Sequence, residues 1–85
     1  MKEYTHKIMA EHGLHARPAG ALARLVRDVE SSVKVRAMGK EADAKRLLSL
    51  MSLGATTGAE LHFVIDGADE ETAYEKIKEF CEREL

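Results

Sequence analysis

The chain has 85 residues, of which 45% are hydrophobic and 33% charged, and its formal net charge is −2. This length excludes the two-domain architectures in which many cofactor enzymes build a cleft, so we expect one domain over residues 1–85. The near-neutral charge disfavours a nucleic-acid-binding surface, and no apolar run is long enough to span a membrane. The single cysteine, Cys81, excludes an internal disulfide and a cysteine-based zinc site; together with the charged N-terminus it favours the cytoplasm.

Hydrophobic periodicity predicts a strand and then a helix in the first third of the chain. The segment from Tyr4 to Met9 alternates between polar and apolar residues, as a half-buried strand does. From Arg17 to about Ser31, apolar residues recur every three or four positions, which is typical of an amphipathic helix. Pro18 falls in the first turn of that helix, where a missing backbone N–H costs little.

The middle of the chain predicts a hairpin followed by a short helix. Val33 to Ala37 alternate, and Gly39-Lys40 then turns the chain into a third strand near Glu41 to Ala44. The apolar segment from Lys45 to Leu53 ends at Gly54, which indicates a helix of about two turns with a glycine after its last residue.

The last third of the chain predicts a strand and a closing helix. Leu61 to Ile65 alternate between the turn signals Gly58 and Gly67, and acidic residues 69–71 suit a helix N-terminus. The resulting order is βαββαβα. Because strands and helices do not strictly alternate, this order favours an α+β two-layer sandwich with an antiparallel sheet.

The segment Gly13-Leu14-His15-Ala16-Arg17-Pro18-Ala19 carries the strongest chemical signal. A helix N-terminus presents unpaired N–H groups and the positive end of the helix dipole, and both attract a phosphoryl anion. A neutral imidazole has a lone pair with which His15 can accept a phosphoryl group, and Arg17 adds a guanidinium. The same spacing also fits an exposed N-cap histidine and a solvated arginine, and chemistry alone leaves both interpretations open.

This segment resembles the active-site signature of HPr, the histidine-containing phosphocarrier family of the bacterial phosphotransferase system. Four further segments resemble the family at the same positions: 39–40, 50–54, 58–60 and 67–70. The resemblance implies an open-faced βαββαβα sandwich, with a four-stranded antiparallel sheet and three helices on one face. It implies that His15 carries the phosphoryl group on Nδ1, that Arg17 stabilises it, and that the amides of Ala16 and Arg17 bind it.

The resemblance also implies partners and a docking surface. The protein would be a carrier and not an enzyme that turns over by itself: it would take the phosphoryl group from enzyme I and give it to enzyme IIA domains. The docking positions that match the family are Ala16, Arg24, Arg27, Arg46, Leu47, Leu48 and Met51. An apolar patch with a basic rim suits brief association, although Leu47 and Leu48 also fit a core role. We expect a monomer, with no cofactor, no metal, no nucleic acid and no membrane insertion.

Two positions depart from the family pattern. Arg46 lies where many HPr proteins have a serine that a regulatory kinase phosphorylates, and an arginine has no hydroxyl to modify. His12 replaces a small polar residue; we expect it to hydrogen-bond within its loop and to perturb the basicity of His15, and a pair of histidines alone is a weak metal site.

Two other functions compete with the carrier role. The first is a regulatory binding module, of the nitrogen-branch or catabolite-control type, that acts by protein contact alone; HPr relatives without the active histidine work in this way. The presence of both His15 and Arg17 favours the carrier. The second is a small nucleic-acid module, which two Tyr and two Phe and the net charge do not support.

Overall fold

The computed structural model describes all of residues 1–85 and contains four strands and three helices. In chain order these are β1 (Lys2–Lys7), α1 (Ala16–Arg27), β2 (Ser32–Ala37), β3 (Lys40–Asp43), α2 (Leu47–Met51), β4 (Glu60–Asp66) and α3 (Glu70–Glu84). The predicted βαββαβα order and the α+β class are confirmed. None of the helices is both long enough and apolar enough to cross a bilayer.

The strands form one antiparallel sheet in the order β1-β4-β2-β3. The last strand in sequence therefore lies between the first two, and α1 crosses from one side of it to the other. Strands β2 and β3 are joined by Met38 and Gly39, which both have positive φ, 54° and 74°. Two residues with positive φ are characteristic of the tight type I′ hairpin turn, which explains the predicted turn at Gly39.

The core lies between one face of the sheet and the helices. Burial alternates along β2 and β4, with Val33, Val35, Phe63 and Ile65 almost fully buried. Helix α1 contributes Leu22 and neighbouring apolar residues to the same continuous cluster of 23 buried residues. The opposite face of the sheet is open to solvent, so the open-faced sandwich is confirmed.

The observed helices α1 and α2 are shorter than the periodicity predicts. Helix α1 ends at Arg27, four residues before Ser31, although Val29 is still buried. The physical reason is a competing acceptor: the backbone amides of Glu30 and Ser31 donate to the carboxylate of Asp69, at 2.8 and 2.9 Å, and so leave the helical pattern. Likewise α2 covers only Leu47–Met51 of the predicted segment 45–53, because Arg46 is in an extended conformation.

The first strand is shifted toward the N-terminus relative to the prediction. It spans Lys2–Lys7 and not Tyr4 to Met9, because its ladder with β4 runs from Lys2 opposite Ile65 to Lys7 opposite Glu60. Beyond Lys7 the amide of Ile8 donates to Ala59 at 2.9 Å, and the chain then turns toward α1. The expected alternation is nevertheless present, with Tyr4 and His6 partly buried and Ile8 fully buried.

Candidate functional site

His15 is the N-cap residue of α1 and is exposed to solvent. Its backbone is extended, with φ −96° and ψ −173°, and its carbonyl oxygen accepts the amide of Ala19 at 2.9 Å. The imidazole makes no capping hydrogen bond to the helix. The backbone conformation therefore places the ring at the N-terminus of α1, and neither ring nitrogen is occupied by a hydrogen bond within the protein.

The first amides of α1 have no acceptor within the protein. Neither Ala16 nor Arg17 donates a backbone or side-chain hydrogen bond, and Pro18 has no N–H to offer. The first turn contains no acidic side chain that would compete for these amides. Unpaired amides and the positive end of the helix dipole together favour an anion beside His15.

Arg17 provides the full positive charge at this site. Its side chain is exposed and makes neither an ion pair nor a hydrogen bond. It lies in the same first turn as the two unpaired amides, two residues after His15. The start of α1 thus carries an exposed imidazole, two unpaired amides and a guanidinium, all of which are groups that can interact with an anion.

The turn at residues 54–58, which no sequence pattern connects with the site, supports this loop. Gly13 has φ 65°, and a Cβ atom at this position would lie 2.6 Å from the carbonyl oxygen of Ala55 and from Cα of Thr56. The amide of Leu14 donates to the same Ala55 oxygen at 3.0 Å. The hydroxyl of Thr57 also reaches the loop, at 2.5 Å from the carbonyl oxygen of Ala10. In the sequence, the only signal for this contact is the glycine at position 13.

His12 lies beside His15 on the exposed side of the loop. The centroids of the two rings are 5.7 Å apart and their planes are nearly perpendicular, at 89°. The expectation that His12 hydrogen-bonds within the loop is wrong, because its side chain makes no hydrogen bond. The turn at Gly13 instead points both imidazoles to the same region of solvent.

The residues proposed for docking lie on α1 and α2, which pack against each other next to the site. On α2, Leu48 is 78% exposed and Met51 39% exposed, whereas Leu50 is fully buried. Leu47 is half-buried and packs against the core. The exposed positions are Ala16, Arg24, Arg27, Arg46, Leu48 and Met51.

A polar contact fixes the two helices relative to each other. Nε of Arg27 donates to the carbonyl oxygen of Lys45 at 2.9 Å, and Nζ of Lys45 donates to the carbonyl oxygen of Val29 at 3.0 Å. Arg24 and Arg46 form no ion pair. Their charges are therefore available to an acidic partner.

The other chemically interesting side chains lie away from this surface. Cys81 is buried, and desolvation together with the nearby Glu82 charge raises the pKa of its thiol to about 12. His62 lies on the open face of the sheet, bonded to Glu3 at 2.7 Å and to Thr5 at 2.8 Å. No group of three or more metal-ligating side chains occurs in the structure.

Comparisons with known proteins agree with this fold and geometry. A family model described as the PTS HPr component phosphorylation site matches residues 2–83. HPr from Thermoanaerobacter tengcongensis is similar with a TM-score of 0.91 and 34% identity, covering 96% of this chain and 92% of that one. The histidine-containing phosphocarrier protein studied in Mycoplasma is similar with a TM-score of 0.90 and 30% identity, covering 93% and 90%.

A third relative is the catabolite repression protein Crh of Bacillus subtilis, which forms a dimer by domain swapping. It is similar with a TM-score of 0.76 and 32% identity, covering all of this chain and 98% of that one. The family match extends over nearly the whole sequence, and the matched structures share its four-stranded open sheet. The chain therefore belongs to the HPr family, the phosphocarrier component of the phosphotransferase system.

Proposed function

We propose that this protein accepts a phosphoryl group from phosphorylated enzyme I onto His15 and donates it to enzyme IIA domains. The observation that carries the proposal is the exposed His15 imidazole at the start of α1, beside two unpaired amides. By analogy with the family, the relay operates in the cytoplasm and serves sugar uptake. The protein is then a substrate of its partners and does not turn over by itself.

The acceptance step needs little covalent help from the carrier. The lone pair of the His15 nitrogen attacks phosphorus as the bond between phosphorus and its donor atom on enzyme I breaks. The phosphoryl group keeps its three oxygens, and the donor atom departs with the electron pair of the broken bond. The second ring nitrogen of His15 releases its proton to solvent, and the donor takes up a proton in exchange. Catalysis of phosphoryl transfer rests largely on positioning and charge stabilisation, and here the amides of Ala16 and Arg17 with the Arg17 guanidinium supply them.

The same groups leave the phosphohistidine able to react onward. Neutral amides and one flexible arginine bind the phosphoryl oxygens, but they do not surround them with several fixed cations. A site that bound the phosphorylated ground state much more tightly would slow donation, because only interactions that strengthen in the transition state accelerate transfer. This balance suits a carrier that must both keep and release its group.

The exposed surface of α1 and α2 is proposed to dock both partners. Leu48 and Met51 provide a small apolar patch, and Arg24, Arg27 and Arg46 provide a basic rim around it. Rim charges accelerate encounter with an acidic partner, while a small apolar contact keeps dissociation fast. Arg46 contributes charge at the position where family members have a regulatory serine, so we propose no serine regulation at that site.

Residues at the site favour a carrier over a regulatory module. Crh and HPr relatives share this fold, so fold similarity supports either role. A module that acts by contact alone has no use for an imidazole with free nitrogens beside unpaired amides and an unpaired guanidinium. His15 and Arg17 therefore support phosphoryl transfer.

The test is intact-mass spectrometry after incubation with phosphoenolpyruvate and enzyme I. We expect the wild-type protein to gain one acid-labile phosphoryl group and the His15→Ala variant to gain none. Adding an enzyme IIA domain should then remove the group from the carrier and transfer it to that domain. The His62→Gln variant serves as a control, since His62 lies on the opposite face of the sheet.

The outcome separates the two roles. A folded wild-type protein that several enzymes I fail to phosphorylate would contradict the carrier role and favour the regulatory module. Phosphorylation that persists in His15→Ala would show that another histidine is the acceptor.

A further inference from the structure

We propose that His12 is a second side-chain ligand of the phosphoryl group on His15, and that it binds this group most strongly when its imidazole is protonated. The inference rests on the proposed carrier function and adds a pH-dependent component to it. It concerns a feature of this chain, since position 12 departs from the small polar residue that the HPr resemblance implies.

The geometry of the two rings supports this role. Their centroids are 5.7 Å apart and their planes are perpendicular, so the edge of one ring faces the other ring. At this separation, a phosphoryl group on a ring nitrogen of His15 would lie within reach of the His12 imidazole. The positive φ of Gly13 sets the arrangement, and the Gly13 amide closes the turn by donating to the carbonyl oxygen of Ala10 at 3.2 Å.

The side chain of His12 is free to take this role. Its side chain is exposed and makes no hydrogen bond or ion pair. His62 differs from His12, because its two ring nitrogens already form hydrogen bonds with Glu3 and Thr5. The nitrogens of His12 remain free to donate to an anion.

The charge balance around the loop also favours this role. The ionisable side chains nearest to His12 along the chain are Glu11 in the same loop and His15 and Arg17 at the start of α1. The end of α3 meets this loop through the carbonyl oxygen of Leu85, which accepts the amide of Ala10 at 3.0 Å. The supporting turn at residues 54–58 adds no charge. The largest change in charge around His12 is therefore phosphorylation of His15, which adds about 1.5 to 2 negative charges.

These observations define how the residue acts. An isolated imidazole titrates near pH 6.5, so it exchanges its proton within the physiological range. A phosphoryl dianion beside His12 favours its protonated form, and the imidazolium N–H then donates to a phosphoryl oxygen. Acidification thus strengthens the contact between His12 and the phosphoryl group, whereas under alkaline conditions the neutral ring offers only one uncharged N–H beside Arg17 and the two amides.

The direct test is a histidine NMR titration of the wild-type protein, with and without a phosphoryl group on His15. Phosphorylation is carried out chemically with phosphoramidate and mapped to His15 by mass spectrometry, so that enzyme I is not required. We expect the titration midpoint of His12 to rise by about 1 unit or more on phosphorylation. That of His62 should not move. An unchanged His12 midpoint would overturn the inference.

The second test compares the lifetime of the phosphohistidine in wild type and in His12→Gln. The ratio of lifetimes should be near one at pH 8 and should rise to about two- to fivefold at pH 6, as expected for an exposed ion pair. His12→Lys should keep the longer lifetime at both pH values. A ratio that does not change with pH, or that His62→Gln reproduces, would contradict the proposal.

The two proposals fail in different ways. If enzyme I does not phosphorylate the protein but the chemically phosphorylated form shows the His12 shift, the carrier role is wrong and His12 is still a phosphoryl ligand. If enzyme I phosphorylates His15 and the His12 midpoint stays unchanged, the carrier role stands and the role of His12 is refuted.

Discussion

A single glycine decides whether the loop that carries His15 can form. Gly13 has a left-handed backbone, and its α carbon lies so close to the 54–58 turn that no side chain fits between them. The contact lets the neighbouring amide of Leu14 reach the carbonyl oxygen of Ala55. The position of the imidazole therefore depends on a residue that has no chemistry of its own.

We predict that Gly13→Ala lowers the free energy of unfolding by about 2 kcal/mol or more, because it adds both an unfavourable φ and a steric overlap with backbone atoms. It should also slow phosphorylation by enzyme I. Urea unfolding and the initial rate of phosphorylation measure the two effects. The matched control is Gly20→Ala within α1, where a Cβ atom meets nothing within 4 Å.

The Gly20→Ala control should instead raise the free energy of unfolding. Replacing a helical glycine by alanine stabilises a helix by about 0.5 to 1 kcal/mol. Equal effects of the two substitutions would show that the contact between Gly13 and the turn is unimportant.

At the scale of elements, the short helix α2 has only five residues and yet contains both a core side chain and an exposed one. Leu50 is fully buried against the core, whereas Leu48, two residues earlier, is 78% exposed. A helix this short has little stability of its own, so its position depends on the buried Leu50 and on packing against α1. The core side chain holds the surface side chain in place.

We predict that Leu48→Ser leaves the free energy of unfolding within about 0.5 kcal/mol of wild type, since the side chain is exposed. It should reduce kcat/KM for phosphorylation by enzyme I by roughly five- to thirtyfold, through loss of an apolar contact with the partner. Chemical denaturation and steady-state kinetics measure these quantities. Unchanged kinetics would remove Leu48 from the docking surface.

The comparison variant is Leu50→Ala. Burial at this position should make the substitution cost about 2 to 5 kcal/mol of stability. Because the two leucines belong to the same helix, comparing the two variants distinguishes the effect of unfolding α2 from the effect of losing the Leu48 contact with the partner.

At the scale of the whole molecule, Asp69 joins segments that are far apart in sequence. It occupies the N-cap position of α3 but makes no capping hydrogen bond there. Its carboxylate instead accepts the amides of Glu30 and Ser31 and the hydroxyl of the fully buried Ser31. Asp69 therefore lies at the start of α3, as its acidic segment predicts, and it also fixes the chain between α1 and β2.

These hydrogen bonds make stability depend on pH. The Ser31 hydroxyl and the Glu30 amide are the main causes that lower the pKa of Asp69 from 3.8 to about 2. The carboxylate is favoured in the folded state, so its stabilisation is fully present above pH 3.8 and is lost as the pH falls through about 2.

We predict that Asp69→Asn is less stable than wild type at neutral pH and that this difference narrows as the pH falls from about 4 to about 2. Urea unfolding of both proteins across this range measures the difference. Serine hydroxyl and amide donors lose a charged acceptor in the variant, which is the physical reason for the loss. A difference that is the same at pH 2 and pH 7 would show that the carboxylate charge contributes nothing.

Much of the architecture follows from local patterns. Alternation around Val33 and Phe63, and the three- to four-residue spacing around Leu22, identify elements because periodicity depends only on which face of a segment is buried. The segment that contains His15, Arg17 and Pro18 similarly predicts a helix start that suits an anion. The resemblance to HPr, carried by residues in five segments, indicated the family that the comparisons then showed.

The tertiary structure decided what depends on contacts between distant segments. The end of α1 at Arg27 is set by Asp69, about 40 residues later, and the shape of the His15 loop is set by Ala55. The proximity of His12 to His15 depends on a turn whose sequence signal is one glycine. Propensity describes the preferences of a segment in isolation, whereas these features arise because another part of the chain supplies the acceptor or occupies the space.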